Sequence, residues 1–293
     1  MIDWHVIERI TQGRLGRTMA TCPLCSDKRS NAQNRRSKVL AVNLIEPEFA
    51  VYFCNHCRAN GYCRPDTPSR LIDLAEQRRR REEAQRYALA EQQRRTESAL
   101  SIWNEGVDPA GTAAETYLRA RKLALPFELR VTVLRFHPAC PWEGGRVPCL
   151  IAAFRSVADN ALTGIHRVRL DRPERWPKTE RMMLGCIAGS AVKFDSPGDS
   201  LVVGEGIETC LAARQLNMRP AWAVGSANGI RNLRPVESVR DLYILGENDG
   251  GINRQAAIEC SEAWAREAKK IFYVKPRRGK DINDALMERE NVA

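Results

Sequence analysis

Two apolar runs in the C-terminal third of the chain each end in Gly-Glu and each precede a helix-compatible segment. Residues 201–203 lead into Glu205, and residues 242–245 lead into Glu247 and, two positions on, Asp249. Buried strands that alternate with helices form parallel sheets, and polar groups then collect at the carboxyl ends of the strands. The repeat therefore predicts an α/β fold that brings these three carboxylates to one crevice.

Carboxylates gathered at one crevice repel each other unless a cation lies between them. Hard oxygen ligands favour Mg²⁺ or Mn²⁺ over softer metals, so Glu205, Glu247 and Asp249 are predicted to form a metal site. An alternative stays open for Glu205, because an anion at the start of the following helix is also favoured by the helix dipole.

The segment 275–286 places four basic residues directly before two acids. Lys280 is a candidate to contact a triphosphate, with Arg277 and Arg278 as further nucleotide or nucleic-acid contacts. Asp281 or Asp284 is a candidate to complete the metal shell. The competing interpretation is that Asp281 caps a final helix and that Asp284 interacts favourably with its dipole.

Two Cys-x-x-Cys pairs lie near the N-terminus, with 28 residues and two strand-like segments between them. They are Cys22 and Cys25, and Cys54 and Cys57. This spacing is typical of a zinc ribbon, in which four thiolates close a tetrahedral, structural Zn²⁺ site. A domain this small buries little apolar surface, so the metal is expected to supply folding free energy. His56 and Cys63 are not needed as ligands.

The charge of the chain points to a polyanionic partner. Lysine and arginine total 46 against 36 acids, a net charge of +10. Residues 1–100 carry 18 basic and 12 acidic side chains, an excess of six, which is the largest of the three thirds. Basic side chains beside a zinc ribbon are candidate phosphate contacts; the ones we single out are Arg35, Arg36 and Lys38. Tyr52, Phe53 and Tyr62 are either core residues or stacking platforms for unpaired bases.

The sequence contains neither an apolar run of about 18 residues, which a membrane-spanning helix needs, nor a signal-peptide layout. We therefore expect a cytoplasmic protein without a membrane partner. The ten cysteines fit one metal site in a reducing compartment better than a set of disulfides.

The middle of the chain is predicted to contain a long helix followed by short strands. Residues 69–105 lack Gly and Pro and are rich in helix formers, which favours a linker helix. Strands are predicted at 131–136, 147–154 and 162–170. Basic side chains near these strands are candidates to guide a template or a nucleoside triphosphate, namely Arg146, Arg167, Arg169 and Lys178.

Several of these motifs resemble the Toprim domain of DnaG-type bacterial primases, topoisomerases and related nucleases. That domain carries a glutamate after its first strand and an Asp-x-Asp pair after its third. Residues 204–206 (Gly-Glu-Gly) and 247–249 (Glu-Asn-Asp) match those places, and 280–284 (Lys-Asp-Ile-Asn-Asp) is similar to a segment of phage and plasmid Toprim proteins. Residues 145–169 and 176–185 resemble parts of the primase core.

The resemblance implies a fold that combines an N-terminal four-cysteine zinc ribbon, a long linker helix, an α+β primase core and a C-terminal Toprim α/β domain with a small parallel sheet. The implied bounds are 1–68, 69–98, 99–198 and 199–293. Glu247 departs from the family pattern, since it replaces the first Asp and lengthens the reach of the carboxylate. The sequence has no Gly-x-x-x-x-Gly-Lys-Ser/Thr loop, and it ends after the Toprim-like region, so neither a fused helicase nor a helicase-binding domain is expected.

The function implied is a phage or mobile-element DNA primase, which makes RNA primers on single-stranded DNA from ribonucleoside triphosphates and works with a separate replicative helicase. Structural Zn²⁺ and catalytic Mg²⁺ or Mn²⁺ are the implied cofactors, with Glu205, Glu247, Asp249 and Lys280 as catalytic residues. A Toprim nuclease or nicking enzyme would use the same acids, and a non-catalytic single-stranded DNA-binding protein is a third possibility.

Overall fold

The computed structural model describes residues 2–29, 32–65, 74–248 and 252–289. Asp249 lies outside these residues, as does the start of the predicted linker at 69–73. The chain forms two compact units, Met1–Gln93 and Arg94–Ala293.

The first unit is built on a four-stranded antiparallel sheet in the order β1-β2-β3-β4. Its strands are β1 (Gly16–Thr21), β2 (Lys38–Glu46), β3 (Phe49–Cys54) and β4 (Asn60–Cys63), with helices α1 (Trp4–Thr11) and α2 (Ala32–Arg36). Alternation along β2 buries Leu40, Val42 and Leu44 on one face, as expected for a sheet with one solvated side.

The aromatic residues of this sheet divide between its two faces. Tyr52 joins the core at 5 % exposure, whereas Phe53 and Tyr62 are exposed. The stacking alternative is therefore wrong for Tyr52.

A single helix of 32 residues, α3 (Leu74–Glu105), forms most of the predicted linker. Its last turns are not solvent-exposed linker, because Ala99, Ile102 and Trp103 pack in a core of the second unit. The predicted boundary at 98/99 thus falls inside a continuous helix.

The second unit contains nine strands, five helices besides the end of α3, and two short 3-10 helices among the described residues. The helices are α4 (Ala113–Ala120), α5 (Ile207–Gln215), α6 (Ala227–Arg231), α7 (Ile252–Ala265) and α8 (Ile282–Arg289). The strands are β5 (Leu134–Trp142), β6 (Gly145–Ser156), β7 (Leu162–Arg169), β8 (Arg181–Gly185), β9 (Ser190–Lys193), β10 (Ser200–Gly204), β11 (Ala221–Ala223), β12 (Asp241–Leu245) and β13 (Lys270–Val274). The 3-10 helices are Phe127–Leu129 and Pro173–Lys178.

These strands form one mixed sheet in the order β13-β12-β10-β11-β9-β6-β7-β8, with β5 paired to β6. Strands β13, β12, β10 and β11 run parallel to one another and make up the predicted parallel sheet. The whole sheet is larger than predicted, because β9 pairs antiparallel with both β11 and β6 and joins the two regions. The α/β fold class with an N-terminal antiparallel sheet is confirmed.

Predicted elements differ from the structure mainly at their ends. The strand predicted at 131–136 begins only at Leu134 and runs to Trp142. Val131 has a positive φ of 65° and lies in a turn, a conformation that interrupts a strand. Strand β7 lies where it was predicted, with Ile165 and Val168 in separate apolar cores.

Strand β10 lies at the centre of the parallel region and is buried from Leu201 to Gly204. Its side chains alternate between two cores, one containing Val202 and the other containing Leu201 and Val203. A strand covered on both faces reads as a continuous apolar run, which explains the sequence signal. None of the helices among the described residues is long and apolar enough to cross a membrane.

Candidate functional site

The four cysteines of the two Cys-x-x-Cys pairs meet in the first unit. All four Sγ atoms lie within 4.8 Å of one another, and all but Cys57 are buried. The Sγ atoms of Cys22 and Cys57 are 3.9 Å apart, and those of Cys25 and Cys54 are 3.8 Å apart. Tetrahedral Zn²⁺ with Zn–S bonds near 2.3 Å requires edges of about 3.8 Å, so the cluster fits structural zinc.

Arg29 contacts this cluster, and the sequence did not predict that contact. Its side chain is buried, and its Nη2 donates to Cys25 Sγ at 3.1 Å. Burial alone raises the pKa of the Cys25 thiol, but Arg29 and the neighbouring cysteines lower it to about 6. A guanidinium on a ligand sulfur orients it and stabilises its thiolate. The basic run around Arg29 was visible in the sequence, but its contact with a specific sulfur was not.

A second site is a cavity of about 710 Å³ at the carboxyl ends of β10 and β12. Its acidic lining residues are Glu205, Glu208, Glu247, Asp281 and Asp284. Its basic and neutral polar lining residues include Arg121, His166, Arg181, Thr209 and Lys280. The structure therefore brings the predicted acids to one place, except for Asp249, which lies outside the described residues.

Parallel pairing accounts for the position of Glu205 and Glu247. Val203 of β10 pairs with Ile244 of β12, so the two glutamates follow adjacent strand ends. The preceding glycines allow close packing there: a Cβ on Gly204 would lie 2.8 Å from Cys210 Sγ, and one on Gly246 would overlap the Tyr273 ring. A side chain at Gly204 would have to displace the buried Cys210, so the absence of a Cβ favours the packing there.

Lys280 lies beside one of the clustered acids. Its Nζ is 3.0 Å from Glu247 Oε2, while the lysine side chain remains 57 % exposed. The ion pair balances the charge of Glu247. Among the described residues the cysteine quartet is the one set that brings three or more ligand atoms within 4.8 Å, so the cavity carboxylates are less tightly grouped than the thiols.

Asp281 caps the final helix, as the competing interpretation held. Its Oδ1 accepts from the backbone N–H of Asp284 at 2.9 Å, and its Oδ2 accepts from Thr209 Oγ1 at 3.1 Å. Asp284 in turn accepts from the backbone N–H of Lys280 at 3.3 Å. The cap thus fixes the 280–284 segment against α5 and keeps both acids at the cavity wall.

A buried ion pair at the cavity was also missed. Glu208 Oε1 accepts from Tyr117 Oη at 2.5 Å and from Arg181 Nη2 at 3.0 Å. Burial raises the pKa of Glu208, but Arg181, Tyr117 and His166 outweigh it and hold the value at about 2. Glu208 stays ionised, and its charge fixes Arg181 beside the cavity.

His166 lines the same cavity from β7 and is 7 % exposed. Its Nδ1 is buried without a hydrogen-bond partner among the described residues. Burial is the main cause that lowers its pKa to about 4, so the imidazole is neutral near pH 7.

Asn248 connects two loops at the cavity. Its Nδ2 donates to the carbonyls of Pro276 and Gly279, at 3.1 and 3.0 Å, and its backbone N–H donates to the Lys280 carbonyl at 2.8 Å. The loop after β12 is therefore held against the segment that carries Lys280. These bonds explain how two stretches far apart in sequence come to line one cavity.

The predicted basic contacts are spread over several places, and few lie at the cavity. Five of them are exposed and lie outside the cavity lining, namely Arg35, Arg36, Lys38, Arg277 and Arg278. The side chain of Lys178 lies outside the described residues. Arg169 is bound by Asp171 and Glu180, at 2.6 and 2.8 Å.

Arg146 and Arg167 lie by the β5–β6 hairpin. Arg146 donates to the Ala139 carbonyl at 3.2 Å. Arg167 is buried, donates to the Pro141 carbonyl at 2.7 Å and lies over the Trp142 ring. The guanidinium of Arg167 is thus engaged within the protein, through partners too distant in sequence to be predicted.

Two family models match consecutive stretches of the chain, which together make up most of the second unit. A model described as a Toprim domain matches residues 200–291, the stretch that holds both strand-end glutamates and the 280–284 segment. Residues 200–291 are a Toprim domain. The preceding stretch, residues 93–194, matches a model described as a domain of unknown function (DUF7146). The Toprim domain thus provides the acidic wall of the cavity, and the preceding region contributes His166 and Arg181.

Solved structures of primases are similar to this chain. The DnaG primase catalytic domain bound to single-stranded DNA is 15 % identical, with 69 % of this chain and 76 % of that chain covered and a TM-score of 0.48. The Aquifex aeolicus primase, with its zinc-binding and RNA polymerase domains, is 13 % identical, with 98 % and 81 % covered and a TM-score of 0.48. The Escherichia coli primase catalytic core is 14 % identical, with 67 % and 75 % covered and a TM-score of 0.44. The search of curated proteins found no match.

Proposed function

We propose that this protein is a DNA primase that joins ribonucleotides on a single-stranded DNA template. We propose further that it works in the cytoplasm for a phage or other mobile element, alongside a separate helicase. The observation that carries the proposal is the Toprim cavity, in which Glu205 and Glu247 follow adjacent parallel strands. Lys280, Arg121 and Arg181 line the same cavity. Acids that can hold a divalent cation beside bases that can hold phosphates suit nucleotidyl transfer.

Glu205 and Glu247, together with Asp249, are the residues that would hold Mg²⁺ or Mn²⁺, and Asp281 and Asp284 stand at the same wall. Their oxygen donors fit such an ion. When bound, the ion lowers the pKa of the attacking 3′-hydroxyl and neutralises the charge of the pyrophosphate leaving group.

The neighbouring side chains position the reactants. Lys280 pairs with Glu247, and we expect its exposed ammonium to turn towards a triphosphate when one binds. In the alternative, Glu205 acts as the general base that accepts the proton of the 3′-hydroxyl and not as a metal ligand.

The first unit offers a surface for the template. Phe53 and Tyr62 are exposed on β3 and β4, at 36 % and 66 %. Arg58 lies 5.9 Å from the centroid of the Phe53 ring, and Arg64 lies 4.8 Å from that of Phe49. Aromatic rings stack on unpaired bases while cations hold the backbone. The structural zinc would support this sheet without contacting the reacting atoms.

The test is an assay with single-stranded DNA, labelled ribonucleoside triphosphates and Mg²⁺ or Mn²⁺. Short ribo-oligomers are expected from the wild type, with a loss of roughly 100-fold or more in Glu205→Gln and Asp249→Asn, because each substitution removes a charged ligand but keeps the side-chain shape. Glu267→Gln, on an exposed glutamate outside the cavity, is the matched control and should retain activity.

The same assay separates the alternatives. Cleaved or nicked DNA that disappears in Glu205→Gln would assign the cavity to a nuclease, since the same acids can activate water in place of a sugar hydroxyl. DNA binding without any product, unchanged in both variants, would leave a binding protein. Either result would overturn the primase proposal.

A further inference from the structure

The last strand of the large sheet, β13, has a strand neighbour on one side only among the described residues. Its sequence is Lys-Ile-Phe-Tyr-Val, which combines high strand propensity with a single charge. Phe272 and Tyr273 are 41 % and 40 % exposed. Edge strands in soluble proteins are normally protected by charges, prolines, bulges or a covering element. This strand lacks proline and carries its one charge at its first position.

The helix beside this edge continues the apolar surface. A groove of about 580 Å³ lies between α7 and β13, lined by Ala257, Ile258, Ala265, Ile271 and Tyr273 and flanked by polar residues. Ile258 is 44 % exposed and borders the groove together with Tyr273, whereas Phe272 stacks on Tyr243 on the other face of the sheet. The groove is thus an apolar strip that is bordered by the charged residues Arg254 and Glu262.

The charges at the ends of the groove indicate which partner fits. Arg254 and Glu262 both line it, and each is four residues from Ile258 along α7. A two-fold axis through Ile258 would run α7 antiparallel to the α7 of a second copy. Arg254 of each copy would then face Glu262 of the other, which forms two ion pairs around an apolar centre. A surface that is complementary to itself is what a two-fold interface requires.

The same two-fold axis would also pair the edge strands of the two copies. With the axis perpendicular to the sheet and passing near Phe272, β13 would pair antiparallel with the β13 of the second copy, Ile271 opposite Tyr273. The sheet would continue from one chain to the next, and both α7 helices would lie on the same face. The pairing would cover the exposed edge with backbone hydrogen bonds as well as apolar contacts.

We propose that a second copy of this chain docks on α7 and β13, so that the protein forms a two-fold dimer through this edge. The proposal is independent of the proposed function, because the groove shares no residue with the Toprim cavity. The residues that carry it are Ile258 at the axis, and Arg254 and Glu262 at the ends.

The experiment measures the mass of the zinc-loaded full chain by sedimentation velocity at micromolar concentrations. The wild type should sediment at twice the mass of one chain. Arg254→Glu and Glu262→Arg should each be monomeric alone, since every copy then places like charges opposite each other. Mixed in equal amounts, these two variants should form a heterodimer, because the two introduced charges then face each other at one end and the native pair is kept at the other.

The mixture also controls for misfolding, because two damaged chains would not regain a defined complex. Ile258→Asp, at the axis, should dimerise neither alone nor in the mixture. A monomeric wild type, or a dimer that both charge variants retain, would overturn the proposal. Another occupant of the edge, such as a different protein, would also give the monomeric result with purified chain.

Discussion

The two units of this protein use metal-binding residues in opposite ways. In the first unit the cysteines are part of the core: Cys22, Cys25 and Cys54 are buried among the few apolar side chains that hold the sheet. In the second unit the carboxylates lie at the rim of a sheet whose apolar cores are complete without them. We infer that a metal held by the cysteines serves folding, whereas under the proposed function a metal held by the carboxylates would serve chemistry.

The largest effect should therefore follow removal of zinc. Chelation, or Cys54→Ser, is expected to unfold the first unit, because structural Zn²⁺ contributes about 10–16 kcal/mol in small zinc domains. The second unit should keep its thermal transition, since its cores contain none of the four ligands. Calorimetry with zinc analysis checks this prediction.

Cys63→Ser is the matched control, because Cys63 is also buried in the first unit but stands outside the cysteine quartet. It should retain one zinc per chain. Loss of both transitions on chelation would contradict the separation of the two roles.

The next largest effect concerns the buried charge at the cavity. Glu208→Gln leaves Arg181 without its carboxylate partner and should lower the free energy of unfolding of the second unit by about 3 kcal/mol. This value is at the lower end of the range for a broken buried ion pair, because the side chain of Arg181 is partly exposed. Tyr117→Phe removes two hydrogen bonds, the one donated to Glu208 and the one accepted from Arg181, and should cost about 2 kcal/mol. Urea denaturation measures both. Equal losses, or a shift in the first unit, would be inconsistent with this network.

A smaller effect is expected from His166 and depends on pH. Its folded pKa of about 4 is below the ordinary value of 6.5, so between these values the unfolded chain binds the proton more tightly. Stability should then fall by roughly 2 kcal/mol as pH drops from 7 to 5. His166→Gln should remove this part of the slope. Parallel wild-type and variant slopes would argue against a buried neutral imidazole.

The smallest effect tests the first unit as the template surface. Tyr62→Ala should weaken the binding of single-stranded DNA by about 1 kcal/mol, which is roughly fivefold in affinity. We expect the lower end of the range measured for a stacked base, because the Tyr62 ring is well exposed. Tyr87→Ala is the control, since Tyr87 is 75 % exposed but belongs to α3 and not to the sheet. Fluorescence anisotropy at fixed salt measures the affinities. A larger loss with Tyr87→Ala would place the surface elsewhere.

Local spacing explains what could be predicted from the sequence. The zinc ligands follow from two short motifs, and the strand-end glutamates follow from apolar runs that end in Gly-Glu. Both signals lie within a few consecutive residues, so neither depends on knowing the tertiary contacts.

The residues that were missed depend on distant partners. Glu208 binds Tyr117, 91 positions away, and Arg181, 27 positions away. The side chain of Arg169 is held by Asp171 and Glu180, and its contact with nucleic acid stays a prediction. The single large sheet was also missed, because the pairing of β9 with both β6 and β11 leaves no periodic signal in the sequence.

The most direct test of the central claim is a crystal of the protein soaked in Mn²⁺, with anomalous difference density measured at the Mn edge. We expect a peak between the carboxylates of Glu205 and Glu247, and we expect it to be lost in Glu205→Gln. No peak at saturating Mn²⁺, with Lys280 still paired to Glu247, would contradict a catalytic metal in this cavity.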